Sequence, residues 1–207
     1  MNYKLLPITL ELTFQYNREE FALHKLPKHS IGAELGVWKG DFTKVLLNNV
    51  QPSKLYLIDA WQNHSIPYKN GQKEWTEPKT DTPQNTLDII FNQVNSTLGK
   101  QENIEIIREF TNKAANSIPD GSLDWVYIDA DHSYEGCLSD LRKYETKVKP
   151  GGIIWGHDFV EKEEYIEFGV NQAVETFLEE TGYKFLGLTN ESGAPGIENP
   201  SFVIQKP

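Results

Sequence analysis

Ile31-Gly32-Ala33-Glu34-Leu35-Gly36-Val37-Trp38-Lys39-Gly40-Asp41-Phe42-Thr43 decides the fold. It opens as an apolar run suited to a buried parallel strand and breaks at Gly36 and Gly40. Asp41-Phe42-Thr43-Lys44-Val45-Leu46-Leu47 then places apolar residues at helical spacing. Strand, glycine turn and helix in this order start an open α/β sheet, which binds ligands at the carboxyl end of its first strand. Gly36 and Gly40 accept positive φ and let a ligand approach the backbone. The spacing is Glu34-x-Gly36-x-x-x-Gly40, not the G-x-G-x-x-G that cradles a diphosphate. A carboxylate just before the turn suits a cationic ligand better. The plainer alternative is an ordinary βα turn with an exposed glutamate.

The next apolar run, Lys54-Leu55-Tyr56-Leu57-Ile58-Asp59-Ala60, also ends in an acid. An acid at the end of a second strand can accept hydrogen bonds from both ribose hydroxyls of a nucleoside. Glu34, the glycine turn and Asp59 together resemble the class I S-adenosylmethionine-dependent methyltransferases. The cofactor this resemblance implies has a nucleoside, a sulfonium and an amino-acid tail, but no phosphate.

Composition narrows the field. The chain has 207 residues, enough for one sizeable domain, and a formal net charge of −10. That balance disfavours a nucleic-acid partner, since phosphate contacts need clustered Lys and Arg. Cys137 is the one cysteine, so no internal disulfide can form and a reducing compartment is allowed. No apolar run has the length of a membrane span, and no signal peptide is read at the N-terminus. The expectation is a cytoplasmic protein without a membrane partner, with the oligomeric state left open, a homo-oligomer included.

Residues 1–30 read as an arm or cap, with Ile8, Leu10, Leu12 and Phe14 alternating and a short helix near Glu19–Leu23. Residues 31–207 read as the domain proper, a doubly wound, mostly parallel seven-stranded sheet with an antiparallel last strand. Trp61 to Pro83 is polar and aperiodic, as lids and mobile segments often are. A helix is expected over Gln84–Leu98, a strand over Ile104–Phe110, and a short helix that Thr111 would cap. Strand four spans Leu123–Ala130, and a helix follows from Tyr134 to Lys149, broken by Pro150-Gly151-Gly152. Strand five is Ile153–Asp158. A helix over Phe168–Thr181 and strands over Tyr183–Thr189 and Ser201–Gln205 complete the chain.

A second informative stretch is Asp129-Ala130-Asp131-His132-Ser133-Tyr134-Glu135. In a doubly wound sheet Asp129 and Asp158 end neighbouring strands and face one crevice. Two converging carboxylates repel unless a proton or cation lies between them, which makes Mg²⁺ or another divalent ion a candidate. His132 is close enough in sequence to take a proton from an acceptor hydroxyl. Singly, each residue has a plainer role: Asp131 and Ser133 as helix caps, His132 as a loop histidine, Asp158 as a turn acid.

These motifs, with Asp140-Leu141 and Lys149-Pro150-Gly151-Gly152-Ile153-Ile154-Trp155-Gly156-His157-Asp158, resemble a subfamily of small class I methyltransferases. That subfamily includes sugar O-methyltransferases of macrolide biosynthesis and cephalosporin hydroxylase-like proteins. The resemblance runs from about Ile31 to Asp158. It implies O-methylation of a small-molecule hydroxyl, with Glu34, Gly36, Gly40, Asp59, Thr111, Asn112 and Asp129 holding S-adenosylmethionine. Thr111 and Asn112 would flank the adenine. It further implies His132 as base and a metal on Asp129 and Asp158. His157 stands where the family has an acid, and an imidazole there suits a softer ion. Phe42 stands where the family often has Ser near the methionine tail, and Thr43 is expected to supply that hydroxyl. Two rivals are a nicotinamide-dependent oxidoreductase, which the missing G-x-G-x-x-G disfavours, and a non-catalytic module that binds the nucleoside.

Overall fold

The structure is a computed structural model that describes residues 15–63, 82–160, 162–163, 166–191 and 199–207, with only the backbone described at 162–163 and 166–167. Its elements run α1 (Arg18–Lys25), β1 (Ile31–Leu35), α2 (Asp41–Asn49), β2 (Lys54–Ile58), α3 (Gln84–Leu98), β3 (Ile104–Ile107) and α4 (Thr111–Ala114). The second half runs β4 (Leu123–Ile128), α5 (Tyr134–Glu145), β5 (Val148–Gly156), β6 (Lys162–Glu163), β7 (Ile166–Glu167), α6 (Val170–Thr181), β8 (Lys184–Leu188) and β9 (Phe202–Gln205). The alternating Ile8 to Phe14 and most of the expected lid lie outside the described residues.

The seven-stranded sheet has the order β3-β2-β1-β4-β5-β9-β8. The first five strands are parallel. β9 is antiparallel to both neighbours, so β8 again runs with the majority. Order reverses between β1 and β4, the switch point where α/β sheets open a crevice. Both faces are covered. Ala33, Leu35, Val126, Ile128 and Ile154 face the layer of α4, α5 and α6. Leu55, Leu57, Trp125, Tyr127 and Trp155 face α1, α2 and α3. Burial on both faces explains why these strands read as continuous apolar runs.

Several boundaries differ from the sequence reading, most of them by one to three residues at strand and helix ends. Helix α5 ends at Glu145 and β5 already starts at Val148, so Pro150-Gly151-Gly152 lies inside a strand. The β4–β5 register shifts between Leu123 and Trp125, and that irregularity accommodates the proline. Gly151 N–H donates to Lys206 O and Lys206 N–H to Gly152 O, which keeps the segment extended. Thr111 is not a cap: Phe110 takes that position and Thr111 is the first helical residue. Helix α1 has a capping box instead, Asn17 with Glu20, which satisfies two backbone donors reciprocally. Among the described residues no helix is long and apolar enough to cross a membrane.

Candidate active site

The glycine turn is shaped by the protein's own backbone. Gly36 has φ +86°, and an added Cβ would lie 1.8 Å from the carbonyl oxygen of Asp129. The β1 and β4 ends therefore touch here, and only a residue without Cβ fits. Gly40, at φ +75°, is the left-handed N-cap of α2.

Beside this turn Asp59 organises the next loop. Its Oδ2 accepts Trp38 N–H and its Oδ1 accepts Trp61 N–H, both at 2.8 Å. Trp61 Nε1 donates to Trp38 O at 2.9 Å, so the two loops are cross-braced. Trp38 and Trp61 both have positive φ, a strained state for bulky residues that the carboxylate holds in place. Between these loops and α5 lies a cavity of about 390 Å³, lined among others by Gly36, Asp59, Thr111, Asn112, Ala130 and Asp140. Its size is within the range of small-molecule and cofactor sites.

The cavity thus gathers Gly36, Asp59, Thr111 and Asn112 from the expected set. Gly40, Glu34 and Asp129 are not on its wall. Asp140 is, and its role is visible only in the fold. Thr111 Oγ1 donates to Asp140 Oδ1 at 2.6 Å, and Tyr144 OH donates to Thr111 O at 3.0 Å. Burial pushes the Asp140 carboxyl up to about 7, with the Thr111 hydrogen bond opposing.

Glu34 is buried behind the turn and accepts the Thr43 hydroxyl at 2.6 Å. Thr43 is itself fully buried in this pair, so it does not supply the free hydroxyl expected of it. Burial raises the Glu34 carboxyl to about 8; the Thr43 bond opposes, and the charges of Asp129 and Asp59 add to the rise. Without a bound cation Glu34 is therefore protonated at neutral pH. Its ordinary value is 4.5, so this proton's stabilisation is full below about 4.5 and is lost as pH rises through about 8. Asp140 adds a loss of the same sign at lower pH. Melting temperatures between pH 5 and 9 should fall more for wild type than for Glu34→Gln; parallel curves would remove Glu34 as a cause.

The second centre lies at the ends of β4 and β5. His132 Nε2 is 3.1 Å from Asp129 Oδ1 and 3.1 Å from Asp158 Oδ2. Ser133, the next residue, caps α5 by accepting Gly136 N–H, and Gly169 N–H donates to His132 O. Both contacts fix the loop that carries the imidazole. Asp158 has φ +57°, and Asn199 Nδ2 donates to its Oδ1 at 2.9 Å. For Asp129, burial pushes the carboxyl upward, but the His132 hydrogen bond and the charges of His157, His132 and Arg18 outweigh it. The group is held well below the usual carboxylate range.

His157 does not join this convergence. Its Nε2 is 3.7 Å from Asp158 Oδ1, and its Nδ1 faces Ser201 Oγ at 3.3 Å. Among the described residues the group whose donor atoms could share an ion is Asp129, His132 and Asp158, all within 4.8 Å. This group shares Asp129 and Asp158 with the expected ligand set and has His132 where that set has His157, which faces Ser201 just before β9. Burial lowers the His157 pKa, against the charges of Asp129 and Asp158.

One residue here was missed by sequence reading. Arg18, from α1, reaches Tyr127 OH with Nη1 at 3.1 Å and stands 3.8 Å from Asp129 Oδ2. A single arginine in a short helix carries no signal of such a role; the contact exists only once α1 packs on the sheet.

A family model described as a methyltransferase domain matches residues 33–159, which span the cavity and the histidine centre. The chain belongs to this methyltransferase family. Among curated proteins none matches. Solved structures show the same fold at low identity. A Streptococcus mutans protein in complex with S-adenosylhomocysteine (SAH) aligns over 91% of this chain and 95% of its own, with TM-score 0.58 and 14% identity. The N-methyltransferase NodS from Bradyrhizobium japonicum, also with SAH, aligns over 91% and 84%, with TM-score 0.61 and 12% identity. An rRNA methylase from Streptococcus thermophilus aligns over 91% and 93%, with TM-score 0.57 and 14% identity. The protein is thus a methyltransferase enzyme, and the oxidoreductase alternative is set aside. Neighbours that differ in acceptor share this fold, so the fold does not name the acceptor.

Proposed function

We propose that this methyltransferase transfers the methyl group of S-adenosylmethionine to a hydroxyl of a small-molecule acceptor, with His132 receiving the proton. The observation that carries the reading is the place of His132 Nε2, 3.1 Å from a carboxylate oxygen on each of two adjacent strand ends, beside a nucleoside-sized cavity. The acceptor oxygen attacks the sulfonium methyl, the carbon–sulfur bond breaks toward sulfur, and SAH remains. The hydroxyl proton passes to Nδ1 of His132, since Nε2 faces the two carboxylates as the donor, and Asp129 and Asp158 stabilise the imidazolium that forms. Alignment of oxygen, methyl and sulfur supplies most of the acceleration. The net charge of −10 and the paired acids at the centre oppose a polyanionic acceptor such as RNA. The narrower likeness to sugar O-methyltransferases rests on the motifs around Asp129 and Asp158.

In the cavity Asp59 would accept the ribose hydroxyls, with Thr111 and Asn112 at the adenine. Asp59→Ala is expected to weaken SAH binding by roughly 1–3 kcal/mol, since a charged acceptor makes the stronger hydrogen bonds. Titration calorimetry checks this, and unchanged affinity would remove Asp59 from the site. Because Asp59 also holds Trp38 and Trp61, the neighbouring loop should loosen as well.

A second reading concerns a metal. Two carboxylates and one imidazole fit a divalent ion, and Asp129, His132 and Asp158 would hold it. Such an ion would polarise the acceptor hydroxyl. The two readings exclude each other at His132, because an imidazole whose Nε2 ligates an ion carries its hydrogen on Nδ1 and cannot take another proton. Exhaustive chelation separates them: retained turnover assigns His132 as base, and lost turnover restored by a divalent ion assigns it as ligand.

A further inference from the structure

The proton transfer above leaves Arg18 without a role. Its side chain is only 16% exposed. Its side-chain hydrogen bond among the described residues is Nη1 to Tyr127 OH at 3.1 Å. Nε is buried with no partner. The 3.8 Å to Asp129 Oδ2 is too long for a hydrogen bond. A guanidinium carries five donors in a planar fork, so most of its donor capacity is open. The group is nevertheless held in place. It lies 4.8 Å over the centre of the Phe42 ring, and the Arg18 backbone N–H donates to Glu191 Oε1 at 3.0 Å. A mere counter-ion to Asp129 would close the distance and engage the carboxylate through its fork. This one stands off.

Its position gives the open donors a meaning. Gly36 and Ala130 line the cavity, and the carbonyl of Asp129 packs directly on Gly36. Arg18 is therefore just past the cavity wall, over the first turn of α2. A ligand whose nucleoside fills the cavity and which extends past Gly36 ends beside this guanidinium. There it also meets Asp129, whose Oδ1 faces His132 while its Oδ2 faces Arg18. A cation and an anion at this separation match the two charges on one α-amino-acid carbon. Thr43, committed to Glu34, is not available for this task.

We propose that Arg18 binds the carboxylate at the amino-acid end of the methyl donor, with Asp129 facing the ammonium of the same end. The inference rests on S-adenosylmethionine being the donor. It makes helix α1 part of the cofactor site and explains why a cation is placed among acids in so acidic a chain.

The test is titration calorimetry with SAH and with decarboxylated SAH, which keeps the nucleoside, thioether and amine. Wild type, Arg18→Gln and Arg18→Lys are compared. Wild type should prefer SAH by about tenfold or more, the worth of a charge-assisted contact. Arg18→Gln should abolish that preference by weakening SAH alone, and Arg18→Lys should keep part of it. The wild-type comparison needs no variant to fold. Equal affinity of wild type for both ligands, or an Arg18→Gln variant that weakens both alike, would overturn the assignment. Failure of wild type to bind SAH at all would instead contradict the donor reading beneath it.

Discussion

Replacing His132 by alanine is expected to lower methyl-transfer turnover by ~10²–10⁴-fold, the usual worth of a positioned base. Affinity for SAH should stay within a few-fold of wild type, because His132 is not on the cavity wall. The loss should therefore fall on kcat and not on cofactor binding. Removing the imidazole also leaves Asp129 and Asp158 facing each other without the group between them, which raises the cost of ionising both. His132→Gln keeps a polar side chain there and serves as the control for folding. Turnover of either variant within tenfold of wild type would take the base role away from His132. A measured loss in SAH affinity of the same size as the loss in turnover would make its role structural.

Gly36→Ala should be strongly destabilising. Two costs combine. Alanine is strained at φ +86°, and its Cβ would fall 1.8 Å from the Asp129 carbonyl oxygen. That oxygen belongs to a backbone fixed by β4, where Asp129 N–H donates to Leu35 O at 2.8 Å. The neighbour is not a flexible side chain that can swing aside. A loss of about 3–5 kcal/mol is expected, at the upper end for point substitutions. Urea denaturation should show a lower midpoint with a similar slope. Because the clash forces β1 and β4 apart, the cavity and the Asp129–His132 contact should both suffer. A midpoint equal to wild type would mean that the two strand ends do not touch as described.

The same glycine shows what was legible in sequence. Its position after an apolar run marked a turn that needs positive φ, and that is what the fold contains. The expected reason is close approach of a ligand, and the chain's own Asp129 carbonyl adds a second one. Strand ends were legible because burial on both faces writes apolar runs, and so Asp59, Asp129 and Asp158 could be placed at one crevice. Helix α3 followed from periodicity alone, Leu87, Ile90, Val94 and Leu98 forming its buried face. What local sequence could not carry was the direction of side chains at irregular positions. His157 and Asp158 are adjacent, yet the positive φ of Asp158 turns only that residue toward His132. Arg18 reaches the crevice through packing of α1 on the sheet, where Phe21 meets Trp155 at 5.2 Å between ring centres. No motif encodes that contact. Thr111 was placed at the cavity for its sequence position after β3, but its bond to Asp140 pairs residues 29 positions apart.

The cavity between Asp59 and α5 is the proposed place of the nucleoside of S-adenosylmethionine. Titration calorimetry of the wild-type protein with SAH, with NAD run in parallel, tests it most directly. Saturable one-to-one binding of SAH and no detectable binding of NAD are expected, and the SAH signal should weaken in Asp59→Ala. Binding of NAD in place of SAH, or of neither, would contradict it.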